Sequence, residues 1–260
     1  MESLVDPLIE VGGVQYPARF VIEALSPHMS PGRIARMRHV LAHRLSSLAL
    51  GLEDLHHEHN GAACLRTAEG LGIQDIVAAE LRNAFPMPEL PGRREVIEGV
   101  PTKENPVHRL VTAHAHHWLD LHRVETSAEL VGWARARGMA IFGAGPRGDV
   151  TLETLPVERP LLLLFGNEKL GLREETLAAC DATFRIPMYG FTESYNLSVS
   201  VGMALATLVP RVRSRLASEG RTGDLPDDRS QRLLARWVLS SVRRPDLILK
   251  RKDPANPSES

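Results

Sequence analysis

Side chains suited to polar chemistry gather in three short blocks of this chain. In RIPMYGFTESYNLSVSVGMAL, Arg185 to Leu205, a strand-like ending at Arg185–Met188 passes through a loop from Tyr189 to Ser194. Small and apolar positions with helical spacing follow from Leu197 onward. Ser194, Asn196 and Ser198 therefore cluster at a helix start, where side-chain oxygens cap and unpaired backbone N–H groups can meet a ligand. In LLLLFGNEKLGL, Leu161 to Phe165 has the uninterrupted apolar character of a buried strand, and Gly166–Gly171 is a polar, glycine-bounded turn at its carboxyl end. The crevice beyond strand ends is where open α/β sheets bind ligands. The third block, NGAACLRTAEGLG from Asn60 to Gly72, sets Asn60 six residues before Arg66 on one helix.

The elements that must position these blocks alternate along the chain. Leu48–Leu52 reads as a strand, Asn60–Leu71 as a helix with its exit at Gly72, and Ile73–Ala79 as the next strand. Ala84–Val107, rich in proline, glycine and charge, reads as a long loop. Trp118–Val124 alternates as a strand, Thr126 with Glu129 forms a capping box, and that helix closes at Gly138. Met139–Phe142 is a strand ending in a loop that begins at Gly143, and Thr183–Ile186 is the last strand before the long helix beyond Tyr195. This order predicts an α/β fold with a mostly parallel sheet.

The three blocks, in this order, resemble the SpoU/TrmH family of SPOUT RNA 2'-O-methyltransferases. That family is marked by an Asn…Arg-Thr helix, a Gly-(Asn/Gln)-Glu-x-x-Gly turn and an Ile-Pro-Met…Ser-x-Asn-x-Ser segment. The resemblance spans roughly Arg33 to Leu216. It implies a SPOUT-type α/β knot, with the last part of the domain threaded as a deep trefoil knot, and a homodimer paired through helices near that knot. It also implies S-adenosyl-L-methionine as cofactor and an RNA ribose 2'-hydroxyl as methyl acceptor.

By resemblance the cofactor lies against Gly143, Gly166, Ile186 and Tyr195. Relatives usually carry an aliphatic residue where Tyr195 stands, so its ring either covers the adenine or is only a larger wall. Gly143 reads equally as a turn glycine. Arg66 matches the family's catalytic arginine. A guanidinium loses its proton only above about pH 12, so its role is best written as pairing with phosphate and stabilising the developing alkoxide. Asn60 is expected to cap its helix and to position Arg66 or the ribose. Glu168 is expected to hold Arg66 or the loop of the Arg185–Leu205 block by a charge-assisted hydrogen bond. Asn196 is expected to bond the turn or the substrate, and Ser194 and Ser198 to cap the helix or meet the cofactor carboxylate.

Composition sets the frame around this core. A chain of 260 residues with 43% hydrophobic content can bury a real core, and net charge is −1. No signal-peptide pattern opens it and no apolar run approaches the roughly 18 residues of a membrane span. Cys64 and Cys180 form no CxxC pair, which argues against a disulfide framework, and the compartment expected is the cytoplasm. Eleven histidines, including His56, His57, His59, His114, His116, His117 and His122, form no HExxH pair, and no metal is expected.

Charge is unevenly spread. From Arg211 to Lys252 twelve basic residues face five acidic ones, and Arg33, Arg36, Arg38 and Arg44 lie on a helix opened by Ser30 and Pro31. Two basic arms suit phosphate contacts, with Arg33, Arg36, Arg211, Arg215, Arg232 and Arg236 as the candidates for binding RNA. Solvated helix faces or ion pairs account for any single one of them. The organisation expected is an extension at 1–45 with the basic helix, the SPOUT domain at 46–217, and a basic extension at 218–260 whose last residues are disordered. Within the family the flanking segments are most like the TrmH arrangement, which implies guanosine-18 of the tRNA D-loop. The alternatives are ribosomal RNA as substrate, or an RNA-binding or assembly protein that kept the fold and lost turnover.

Overall fold

The structure, a computed structural model, describes residues 6–85 and 115–253. Nearly all of the expected Ala84–Val107 loop, His114, and the end of the C-terminal tail fall outside them. The described chain forms two units, one of residues 45–222 and one joining the N-terminal residues through Arg44 to those from Gly223 onward.

In chain order, the terminal unit begins with β1 (Leu8–Val11), β2 (Val14–Pro17), α1 (Ala18–Leu25) and α2 (Pro31–Ala42). The larger unit holds β3 (Leu48–Glu53), α3 (Glu58–Leu71), β4 (Asp75–Ala79), β5 (Asp120–Val124), α4 (Ser127–Arg135), β6 (Ala140–Ala144), β7 (Val150–Thr151), β8 (Leu161–Phe165), α5 (Glu174–Ala178), β9 (Ala182–Arg185) and α6 (Leu197–Ser218). The chain returns to the terminal unit with α7 (Asp227–Ser241) and α8 (Pro245–Lys252).

Seven strands of the larger unit form one sheet in the order β5-β4-β3-β8-β6-β9-β7, and every pairing in it is parallel. The apolar run Leu48–Leu52 and its partner Leu161–Phe165 are buried throughout, because helices cover both faces. Cys64, Leu65 and Ala68 of α3 pack with Leu197, Val201, Leu205 and Leu208 of α6 in one core layer. Leu130 and Ala134 of α4, with Leu172, form the other. The late strand β8 lies between β3 and β6, so the chain ends leaving β3, β8, β6 and β9 stand side by side along one edge. This is the edge where a ligand site is expected.

Several boundaries differ from those read in the sequence. Ile73 makes only an isolated bridge to Leu45, and β4 begins at Asp75. Ala115–Trp118 is a 3₁₀ turn, so β5 begins at Asp120. β6 runs on to Ala144, which places Gly143 inside a strand and not in the loop after it. A Cβ there would stand 2.9 Å from Leu172 Cδ1 and 3.0 Å from Cys180 Sγ. A side chain there would crowd the ends of two side chains in the covering layer, so this glycine eases the close packing of the strand.

The terminal unit holds more structure than its sequence suggests. Gly12 and Gly13, at φ 60° and 80°, close the β1–β2 hairpin in the left-handed conformation that two-residue hairpin turns favour. Helix α1 buries Val21, Ile22 and Leu25, and α7 buries Leu233, Leu234, Trp237 and Val238. Ser30 caps α2 by accepting from the Arg33 N–H, with Pro31 in the first turn. Arg44 is not part of an exposed basic stripe: it is fully buried, with its guanidinium 5.7 Å from the Trp237 ring centre.

Candidate active site

Hydrogen bonds between side chains join the three blocks. Asn196 Nδ2 donates to Asn60 Oδ1 at 3.0 Å across 136 residues of sequence, and Asn60 Nδ2 donates to Glu168 Oε1 at 2.7 Å across 108. Each asparagine presents its amide in one orientation, so the relay fixes the start of α6, the first turn of α3 and the turn after β8 relative to one another. Asn60 is 8% exposed, and leaving its amide unpaired would therefore be costly.

The individual roles differ from those expected. Asn60 does not cap α3, whose N-cap position is His57; it sits inside the first turn and bonds across to the other two blocks. Glu168 makes no bond to Arg66 or to the Arg185–Leu205 block. Its carboxylate accepts the backbone N–H groups of His56 at 2.9 Å and His57 at 3.2 Å, and so supplies α3 with an N-terminal acceptor from a distant segment. Asn196 bonds α3 and not the turn, and it is the cap of α6: its Oδ1 accepts from the Ser198 N–H at 2.9 Å and the Val199 N–H at 3.4 Å. Ser198 does not cap; its hydroxyl donates to Asn196 Oδ1 at 2.7 Å. Ser194 lies exposed in the loop before the cap and makes no side-chain hydrogen bond among the described residues.

Burial acts to raise the Glu168 carboxyl, but hydrogen bonds from Asn60, His56, its own N–H and His57 outweigh it and hold the group below the usual carboxylate range. A lowered folded value means that this stabilisation is full above the unfolded value of about 4.3 and is lost as pH falls through the folded value. Glu168→Gln should cost about 1–2 kcal/mol of unfolding free energy at pH 7, the half-exposed position moderating the charged bonds. Urea titrations at neutral and acid pH check this. An equal difference from wild type at both would refute the ionic role.

The turn itself is built by glycine and asparagine. A Cβ on Gly166 would lie 2.2 Å from the Gly171 carbonyl carbon, and Gly171 takes φ 70°. Asn167 exchanges two backbone bonds with Gly171, accepts the Lys169 and Leu170 N–H groups on its side chain, and donates to the Asp54 carbonyl at 2.7 Å. Ile186 is half-buried against the core just beyond β9. Tyr195 is 37% exposed, and its hydroxyl is 3.4 Å from the Pro187 carbonyl.

Arg66 lies on the exposed side of α3 and has no hydrogen-bond or ion-pair partner among the described residues. Six residues of helix turn it about 120° around the axis from Asn60, which explains why it does not join the relay. A cation left in water can take a phosphate or a developing oxyanion without first breaking a protein contact.

Some organising residues were not read from the sequence. Glu53 is buried at the end of β3, where it accepts from the Ser127 and Thr176 hydroxyls and the Arg173 N–H. Asp54, at φ 53°, accepts from the Arg82 N–H at 2.8 Å and the Asn83 N–H at 2.9 Å. An acidic pair directly after a wholly apolar strand is the signal that could have found them. Gly148, whose Cβ would stand 2.2 Å from the Phe184 carbonyl carbon, lets the loop after β6 lie against β9.

The arginines proposed for RNA divide by surroundings. Arg211 donates to the carbonyls of Leu152 and Leu155, and Arg215 bonds Glu219 and Ser47, so both serve to hold α6 to its neighbours. Arg33 donates to Ser241 Oγ at 3.0 Å and remains exposed. Arg36, Arg232 and Arg236 are exposed on α2 and α7. Among the described residues, no group of three or more His, Cys, Asp or Glu could hold a metal ion, and no helix is long and apolar enough to cross a membrane.

Comparison with known proteins places this geometry. The SpoU rRNA methylase family profile matches residues 96–206. The tRNA (guanosine(18)-2'-O)-methyltransferase of Borreliella burgdorferi is 30% identical over 194 residues, covering 74% of this chain and 79% of the relative. The Aquifex aeolicus TrmH/SpoU tRNA modifying enzyme superposes with a TM-score of 0.65 at 24% identity, covering 82% of this chain and 98% of that one. The SpoU methyltransferase AviRb from Streptomyces viridochromogenes, solved with AdoMet, gives a TM-score of 0.50 at 22% identity, covering 63% and 57%.

Proposed function

Because this chain belongs to the SpoU/TrmH family of S-adenosylmethionine-dependent RNA ribose 2'-O-methyltransferases, we propose that it methylates guanosine-18 in the tRNA D-loop. The observation that carries the reading is the Glu168–Asn60–Asn196 relay, which draws the three family blocks into one site at the carboxyl edge of the sheet. The extent of the tRNA-methyltransferase likeness, over most of both chains, supports tRNA ahead of ribosomal RNA.

The donor set at that edge fits the cofactor. Among the described residues the backbone from Met188 to Tyr195 makes no backbone hydrogen bond, so its N–H and C=O groups are available to a ligand. Gly166, Ile186 and Tyr195, with the loop that leaves β6, would hold the bound molecule. Gly143 supports that strand from within. Bound S-adenosylmethionine supplies an electrophilic methyl group on a sulfonium. Arg66 stabilises negative charge as the ribose 2'-oxygen gives up its proton to solvent water, and the relay keeps the strand-end loops in register.

Arg33, Arg36, Arg232 and Arg236, all in the terminal unit, serve RNA through phosphate contacts. Reversing both Arg232 and Arg236 to glutamate should weaken tRNA binding and lower the slope of log K against log salt by about 2. An unchanged slope would remove them from the interface. The chain pairs as a homodimer through the exposed stripe Val199, Met203, Ala206 and Pro210 of α6, whose spacing puts all four on one helix face. It works in the cytoplasm, where tRNA is found.

The direct test is methyl transfer from labelled S-adenosylmethionine to total tRNA and, separately, to ribosomal RNA. Label in tRNA supports the reading. Label in ribosomal RNA alone moves the target, and label in neither, with cofactor bound, points to an RNA-binding protein without turnover.

A further inference from the structure

The loop between β9 and α6 carries two aromatic side chains that the site as described does not use. Tyr189 is 96% exposed and Phe191 is exposed beyond its reference value at 108%, with Gly190 between them. Tyr195, at the end of the same loop, brings two of the chain's three tyrosines within seven residues. A fully exposed phenylalanine leaves its apolar surface in water, and a folded core normally takes such a side chain in. Here polar residues follow at Thr192, Glu193 and Ser194, and the backbone from Met188 to Tyr195 makes no backbone hydrogen bond among the described residues. Both ends of the loop are nevertheless fixed. Tyr195 reaches back to the Pro187 carbonyl, and Asn196 is tied to Asn60.

The chemistry states what such a loop is for. Sequence-specific recognition of RNA targets loops whose bases can be splayed out of the stack, and a base exposed in this way needs a new face. Aromatic rings supply that face for any base, and stacking of this kind tolerates sequence. We propose that Tyr189 and Phe191 are base-stacking residues that receive the unstacked target nucleobase, or the neighbour from which it parts, and so present the ribose to the site. This rests on the RNA-methyltransferase reading above.

The experiment compares wild type with Tyr189→Ala, Phe191→Ala and the aromatic-preserving variants Tyr189→Phe and Phe191→Trp. Methyl transfer to a tRNA transcript is measured together with S-adenosylhomocysteine affinity and mass by light scattering. A second readout is the fluorescence of a D-loop RNA carrying 2-aminopurine beside the target nucleotide. Each alanine variant should lose about tenfold or more in kcat/KM for tRNA, mostly in KM, and lose the 2-aminopurine change. Cofactor affinity and mass should hold, and Phe191→Trp and Tyr189→Phe should stay near wild type. Unchanged kcat/KM in both alanine variants overturns the proposal. So does a fall in mass, which would make the loop a subunit contact, or a fall in cofactor affinity, which would make it a cofactor cover. Failure of the wild type to methylate any RNA would instead remove the underlying reading.

Discussion

Arg66→Ala should lower the methyl-transfer rate by about 10²–10³-fold and leave S-adenosylhomocysteine affinity and the unfolding midpoint unchanged. The expectation follows from position. Arg66 is exposed, has no partner among the described residues, and lies about 120° around α3 from the asparagine that ties the fold together. Its removal therefore costs no internal hydrogen bond. In the mechanism proposed above it removes a positive charge from where a 2'-oxygen becomes anionic, an interaction stronger in the transition state than in the ground state. Arg66→Lys keeps the charge and loses the planar fork, so it should recover part of the rate. Single-turnover rates at saturating tRNA separate the cases. A rate near wild type in Arg66→Ala would refute the assignment, and lost activity with lost cofactor affinity would mean that Arg66 shapes the pocket.

The second large effect is on stability and comes from one atom. Asn60→Asp replaces the amide that donates to Glu168 Oε1 at 2.7 Å by a carboxylate oxygen facing another carboxylate. Two such groups at that distance cannot both ionise without strong repulsion, and one of them must retain a proton in the folded state. The variant should lose about 3 kcal/mol or more at neutral pH, the scale of leaving a buried charge uncompensated. Its pH dependence should run opposite to that of wild type. Raising a folded carboxyl above its unfolded value of about 4.3 gives a contribution present below that value and lost as pH rises through the folded one. Asn60→Asp should therefore approach wild-type stability near pH 4 and fall away toward pH 7. Denaturant unfolding across that range measures it, and a deficit independent of pH would show that Asn60 and Glu168 are not coupled.

Much of this site was legible because its residues are punctuated locally. Gly166 and Gly171 bound a turn whatever the rest of the chain does, and Asn196 heads an amphipathic run. What local signals could not give was the partner of each side chain. Asn60 reads as a cap because it stands near a helix start, yet its partners are 108 and 136 residues away. Glu168 reads as a partner for arginine because both carry charge, yet two backbone N–H groups and an amide take it first. Gly143 reads as a turn glycine, and its close approach to the Leu172 and Cys180 side chains becomes visible only when β6 is packed under its covering layer. Arg44 sits in a basic run and is buried, since a guanidinium can stack on a tryptophan supplied from nearly two hundred residues later. The β1–β2 hairpin escaped notice because two four-residue strands give too short a period to stand out.

The measurement closest to the central claim uses two tRNA transcripts that differ by one oxygen, one with guanosine at position 18 and one with 2'-deoxyguanosine there. Wild-type protein with labelled S-adenosylmethionine should methylate the first and leave the second unlabelled, with both bound about equally. Equal labelling of the two would contradict transfer to the ribose of that nucleotide.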